Sequence, residues 1–167
     1  MEKLIILSGK ARSGKDTVLE IIKEYYKDKK VMNISYSYYL KDYLKRMNMY
    51  NEKDKPRTLM QNFGKTLRKI DKNFLINRVI EDIEVFKNYY DIIVITDARL
   101  KEEITAPSIY NPLTIRIKRD NFDNGLTEIE KQDITETNLD DYKEFDYIIE
   151  NDENLKENIW RILWIKY

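Results

Sequence analysis

Two glycines five positions apart do more than any other feature to fix how this chain can fold. The segment Gly9-Lys10-Ala11-Arg12-Ser13-Gly14-Lys15-Asp16-Thr17 follows a short apolar run, Lys3 to Leu7, and leads into a stretch opened by Asp16. In that stretch Val18, Leu19, Ile21, Ile22, Tyr25 and Tyr26 recur at the spacing of an amphipathic helix. A strand, a G-x₄-G-K loop and a helix in that order make a Walker A loop. The glycines let backbone N–H groups point inward at a phosphate, and the helix N-terminus adds its positive end. Lys15 supplies a cation for the β- and γ-phosphates. Burying a core calls for none of this, so Gly9 through Thr17 are read together as nucleotide-binding.

The loop departs from its usual spelling at one place. Asp16 stands where a Ser or Thr hydroxyl normally meets Mg²⁺, and Thr17 follows one position later. A carboxylate there can hold the metal directly or through water, or it can cap the helix. A second site element lies further on, at Asp97 and Arg99 after the apolar run Asp91 to Thr96. In open parallel sheets ligands bind beyond the carboxyl ends of the strands. There Asp97 can orient Mg²⁺ or accept a hydrogen bond from the attacking group, and Arg99 can hold an acceptor phosphate with its planar fork. The other reading of the pair is a helix N-cap followed by a surface arginine.

The run Asp91-Ile92-Ile93-Val94-Ile95-Thr96-Asp97 is β-branched and continuously apolar, which suits a strand covered on both faces. Val31 to Ser35, Leu113 to Lys118 and Tyr147 to Ile149 read as further strands. Helices are expected over Tyr38 to Met47, from Pro56 to about Ile70, over Phe74 to Phe86 and over Leu155 to Ile165. Strands alternating with helices predict an α/β fold: a parallel sheet with right-handed crossovers and helices on both faces. At 167 residues the chain is expected to make one domain. Asn121 to Asp146, with Gly125 and many acids, reads as a mobile excursion with a short helix.

Composition narrows the chemistry. There is no Cys and no His, which excludes thiol catalysis, disulfides, Ser-His-Asp hydrolysis and His-ligated metals. Thirty basic and thirty acidic residues cancel, which argues against a chain that coats nucleic acid or an anionic membrane. Leu4 to Leu7 is too short for a signal-peptide core, and a cytoplasmic location is expected. The charges are nonetheless segregated. Lys41 to Lys72 carries ten basic and four acidic residues, a net of +6, whereas Arg119 to Asp146 carries three basic and ten acidic, a net of −7. The basic stretch is either a cradle for an anionic substrate or a pair of solvated helix faces.

The spelling Ser8-Gly9-Lys10-Ala11-Arg12-Ser13-Gly14-Lys15-Asp16 resembles two related groups of P-loop small-molecule kinases, the phage-type deoxynucleoside monophosphate kinases and the animal-type phosphomevalonate kinases. The resemblance continues through Leu59-Met60-Gln61-Asn62-Phe63-Gly64 and Asp97-Ala98-Arg99. It extends through Glu136-Thr137-Asn138-Leu139-Asp140-Asp141-Tyr142 to Phe145-Asp146-Tyr147-Ile148-Ile149-Glu150-Asn151. It implies a three-layer nucleoside-monophosphate-kinase core with a five-stranded parallel sheet, an acceptor-binding arm at about 36–72 and a lid at about 119–144. ATP would be the donor, Mg²⁺ the metal and a small phosphate monoester the acceptor. By position, Arg57, Lys65 and Arg68 would lie on the acceptor arm, Arg119 would reach the transferring phosphate, and Asn151 would lie near adenine. The lid departs from the pattern in being acidic, with Asp120 following Arg119. A (deoxy)nucleoside monophosphate is the leading acceptor, and phosphomevalonate or another small phosphate monoester the alternative. A slow nucleotide switch is disfavoured by the lack of an N-K-x-D base-reading motif, and a homodimer is left open.

Overall fold

The computed structural model describes residues 1–51, 56–120 and 122–165. Strands β1 (Lys3–Ser8), β2 (Val31–Ile34), β3 (Ile92–Ala98), β4 (Leu113–Lys118) and β5 (Tyr147–Glu150) form one sheet in the order β2-β3-β1-β4-β5. Every neighbouring pair is parallel. Helices are α1 (Lys15–Tyr25), α2 (Tyr36–Arg46), α3 (Arg57–Ile70), α4 (Phe74–Phe86), α5 (Lys101–Thr105), α6 (Glu128–Lys131), α7 (Ile134–Thr137) and α8 (Leu155–Ile165). A 3₁₀ turn, Ala106–Tyr110, follows α5. The expected α/β architecture is the one the chain adopts.

Strands β1 and β3 carry nearly unbroken apolar runs because both faces are covered. Ile5, Leu7, Ile92, Val94, Ile115 and Ile117 pack with Val18, Ile22, Ile159 and Leu163 from α1 and α8. Leu4, Ile6, Ile93 and Ile95 pack on the other face with Leu40, Leu75, Val79 and Ile83 from α2 and α4. Each such side chain, fully buried, contributes about 1.5–3 kcal/mol. The central strand is β1, and the chain crosses over it between β3 and β4. The order of the sheet therefore reverses where the glycine loop emerges, which is where ligands bind in folds of this kind.

Three expectations shift. Helix α2 starts at Tyr36, two residues before the predicted Tyr38. Pro56 occupies the cap position, and α3 proper begins at Arg57. Strand β3 runs from Ile92 to Ala98, one residue past the expected end at Asp97. The larger correction concerns the acid-rich segment. It is a docked element, not an excursion: Leu126, Leu139 and Phe145 are buried, and Leu139 and Phe145 join the second core. Apolar anchors spaced among acids gave too weak a periodicity to reveal this. Among the described residues no helix is long and apolar enough to cross a membrane.

Candidate active site

Ser8 ends β1 with its hydroxyl turned toward β3, donating to the Ala98 carbonyl at 2.9 Å. The chain then turns through Gly9, where a Cβ would sit 2.5 Å from the Ile117 carbonyl of β4. Only a glycine lets the loop pass this close to the neighbouring strand. Gly14 is the N-cap of α1 with φ of 102°, and no side chain caps that helix end. A Cβ on Gly14 would collide with the Asn151 amide, whose Nδ2 donates to the Ser13 carbonyl at 2.9 Å. Asn151, just past β5, thus props the loop from behind. Asp16 is not the cap of α1; it and Thr17 lie exposed in the helix's first turn.

Lys15 is buried and curls back over its own loop. Its Nζ donates to the carbonyls of Gly9 and Lys10, both at 2.7 Å, and to Ser13 Oγ at 3.3 Å. Burial, helped by the positive charge of Arg99, pushes this ammonium down to about 7, against the pull of Glu136, Asp97 and Asp16. The charges of three acids and one further cation therefore bear on Lys15.

Asp97 accepts the backbone N–H of Tyr36 at 2.8 Å on one carboxylate oxygen and that of Ser37 at 2.9 Å on the other. It caps the N-terminus of α2 from across the sheet, not the helix that follows it in sequence. That contact explains why α2 begins early. The backbone of Arg99 is held by Glu103, whose Oε2 accepts the N–H groups of Arg99 at 2.7 Å and Leu100 at 3.1 Å. Burial lifts Glu103 to about 7. Arg99 extends to Glu136, donating from Nη1 at 2.5 Å, and to the Thr135 carbonyl at 3.4 Å.

Arg116 is the site residue that the sequence reading missed. It sits in β4, 7% exposed, with Nη1 donating to Ser8 Oγ at 2.9 Å and Nη2 to Asp140 at 3.4 Å. Its signal was the alternation of Leu113, Ile115 and Ile117 with Thr114 and Arg116, which puts the arginine on the opposite face from the aliphatic residues. Asp140 also takes Lys10 Nζ at 2.9 Å. Arg57 feels the charges of Arg99, Glu136 and Arg12. Lys15 of α1, Arg99 just past β3 and Arg116 of β4 therefore meet beside the glycine loop, and the charge of Arg99 also reaches Arg57 on α3.

The other residues singled out from the sequence lie around this cluster. Arg12 is exposed, with its guanidinium against Gly125. Lys65 pairs with the buried Asp133 at 2.6 Å. Arg68 packs against Gly64, and its Nη2 is buried with no hydrogen-bond partner among the described residues. Arg119 is exposed just after β4, its guanidinium 3.8 Å over the Phe122 ring.

Fold and site together define a P-loop phosphotransferase of the α/β class: a glycine loop at the crossover of a parallel sheet, faced by convergent cations. A family model for deoxynucleotide monophosphate kinase matches residues 28–162, and the chain belongs to that family. It is an ATP-dependent small-molecule kinase whose partner is a phosphate acceptor. Among curated proteins no relative matches. Solved structures similar in fold include TT1252 from Thermus thermophilus, 12% identical with a TM-score of 0.59, covering 98% of this chain and 95% of that one. Dephospho-CoA kinase from Campylobacter jejuni is likewise 12% identical, with a TM-score of 0.58 and coverage of 98% and 96%.

Proposed function

We propose that the protein transfers the γ-phosphoryl group of ATP to a nucleoside or deoxynucleoside monophosphate. The observation that carries this reading is the gathering of Lys15, Arg99 and Arg116 at the glycine loop: Lys15 donates to the Gly9 carbonyl, Arg99 shares Glu136 with the Ala11 N–H, and Arg116 donates to Ser8. Phosphoryl transfer needs its reactants aligned and their charge neutralised more than it needs a strong base, which suits a chain without His or Cys. An oxygen of the acceptor phosphate forms a bond to the γ-phosphorus while the bridging bond to the β-phosphate breaks, releasing ADP.

In this reading the amides of Gly9 to Gly14 and the side chain of Lys15 hold the donor phosphates. Asn151 keeps the loop in place and borders adenine. Arg99 clamps the acceptor phosphate, and Arg57, Lys65 and Arg68 belong to an acceptor arm over 36–72. The buried, unpartnered Nη2 of Arg68 supports that role, because a bound anion would satisfy it. Residues 119–144 act as the lid, and Arg119 would have to leave the Phe122 ring to reach the transferring group.

Mg²⁺ fits the residues present. Asp16 and Thr17 offer hard oxygen donors in the exposed first turn of α1, and the charges of Asp16 and Asp97 both reach Lys15. A cation of this kind is usually held by one or two carboxylates with water and phosphate completing its shell. When bound, the ion would neutralise charge on the β- and γ-phosphates.

The test is turnover with ATP against a panel of ribo- and deoxyribonucleoside monophosphates and phosphomevalonate. Turnover of one or more nucleotides far above phosphomevalonate is expected. Preference for phosphomevalonate, or no transfer to any nucleotide, would overturn the acceptor assignment.

A further inference from the structure

The acid-rich segment at 119–146 carries three buried acids at intervals of three: Glu130, Asp133 and Glu136. Two of them cap their own short helices. Glu130 accepts from the Thr127 N–H at 2.9 Å and the Thr127 hydroxyl at 3.0 Å. Asp133 accepts from the Thr135 N–H at 2.9 Å and its hydroxyl at 2.8 Å. Each uses its remaining oxygen on α3, Glu130 on Thr58 and Asp133 on Lys65. Glu136 differs: neither oxygen serves its own helix. Oε2 accepts the backbone N–H of Ala11 in the glycine loop at 3.0 Å, and Oε1 takes Arg99 at 2.5 Å.

A loop N–H and a guanidinium are the donors that a phosphoryl oxygen takes in charge-assisted hydrogen bonds. The Glu136 side chain is 5% exposed, and its charge also reaches Lys15, Arg57 and Arg116. Without an anion there, the charges of Lys15, Arg57 and Arg116 would each meet that of Arg99 unopposed. We propose that Glu136 is an internal stand-in for a phosphoryl group. Its carboxylate fills the anion position when no nucleotide is bound, and it gives up the Ala11 N–H and Arg99 when the phosphates of ATP enter. The inference rests on the kinase reading above. It gives the acidic lid a purpose: the segment seals and neutralises the empty site, and ATP must compete with it.

Competition with an internal ligand lowers apparent affinity by the fraction of molecules in which the site is free. The test measures AMP-PNP binding in the presence of Mg²⁺ by titration calorimetry, and thermal unfolding with and without that ligand, for the wild type, Glu136→Gln and Glu136→Ala. Glu136→Gln is expected to unfold at a lower temperature than the wild type without ligand and to bind AMP-PNP about 10-fold more tightly. The difference in unfolding temperature should close at saturating ligand. Equal or weaker binding by folded Glu136→Gln, with a thermal deficit that persists at saturation, would overturn the proposal and make Glu136 a holder of Arg99 in the working enzyme. If Glu136→Ala does not fold, the near-isosteric Gln variant decides alone. If neither the wild type nor the variant binds AMP-PNP, the kinase reading falls first and takes this one with it.

Discussion

Asp97 Oδ1 accepts the backbone N–H of Tyr36 at 2.8 Å, so a residue near the end of β3 closes the open N-terminus of α2. The same carboxylate lies within electrostatic reach of Lys15. One side chain thus ties β3 to α2 and contributes charge beside the glycine loop. Asp97→Ala should cost about 1–2 kcal/mol of stability through the lost cap. Asp97→Asn, which keeps an acceptor but not the charge, should lower kcat more than it lowers the urea midpoint. A variant that loses stability but turns over normally would leave Asp97 purely as a cap.

Lys15 makes its hydrogen bonds to its own loop at the expense of burying a cation. Lys15→Met should therefore fold with an unchanged or raised melting temperature. It should lose about 100-fold or more in turnover, because a positioned cation at the transferring phosphate is gone. Circular dichroism melts beside a coupled ADP-release assay check both halves of this expectation.

Arg99 and Arg116 flank the same space but are anchored differently. Arg99 extends toward Glu136 from a backbone fixed by Glu103, whereas Arg116 is held by Ser8 and Asp140. Arg99→Lys should raise the apparent KM for the acceptor about 10-fold and change that for ATP much less, since Lys lacks the planar fork. Arg116→Lys should disturb the join of β1 to the loop and raise the KM for ATP instead. Steady-state kinetics with each substrate varied in turn separate the two. Equal small effects on both substrates from both changes would mean that these strand ends are structural.

Glu103 gives a pH dependence with a definite sign. Burial raises its carboxyl from the usual 4.5 to about 7 in the folded chain, so the native state binds the proton more tightly than the unfolded one. Its contribution to stability is complete below about pH 4.5 and is lost as pH rises through about 7. Urea unfolding from pH 4.5 to 8 should show that decline in the wild type. Glu103→Gln, which has no proton to lose, should flatten that part of the profile.

Local patterns made much of this protein legible. The glycine loop, α4, β4 and α8 could be read from spacing alone, since a strand covered on both faces and a helix with one apolar stripe each leave a periodic trace. Lys15 was visible from the spacing of the glycine loop, and Asp97 and Arg99 from their place at the end of a recognisable strand. What tertiary structure decided was which partner each polar group finds. Asp97 caps a helix sixty residues earlier in the chain, Asn151 props the loop between Ser13 and Gly14, and Arg116 turns inward where a strand's alternation leaves it a polar neighbour in Ser8. The acidic segment is the clearest case. In sequence it is ten acids without a regular apolar stripe, and nothing local distinguishes Glu136 from its neighbours. Only when the sheet brings β1, β3 and β4 side by side do their cations gather at one point, and only then does a buried carboxylate have a reason to be there. Periodicity is written along the chain, whereas electrostatic complementarity depends on distances that folding creates.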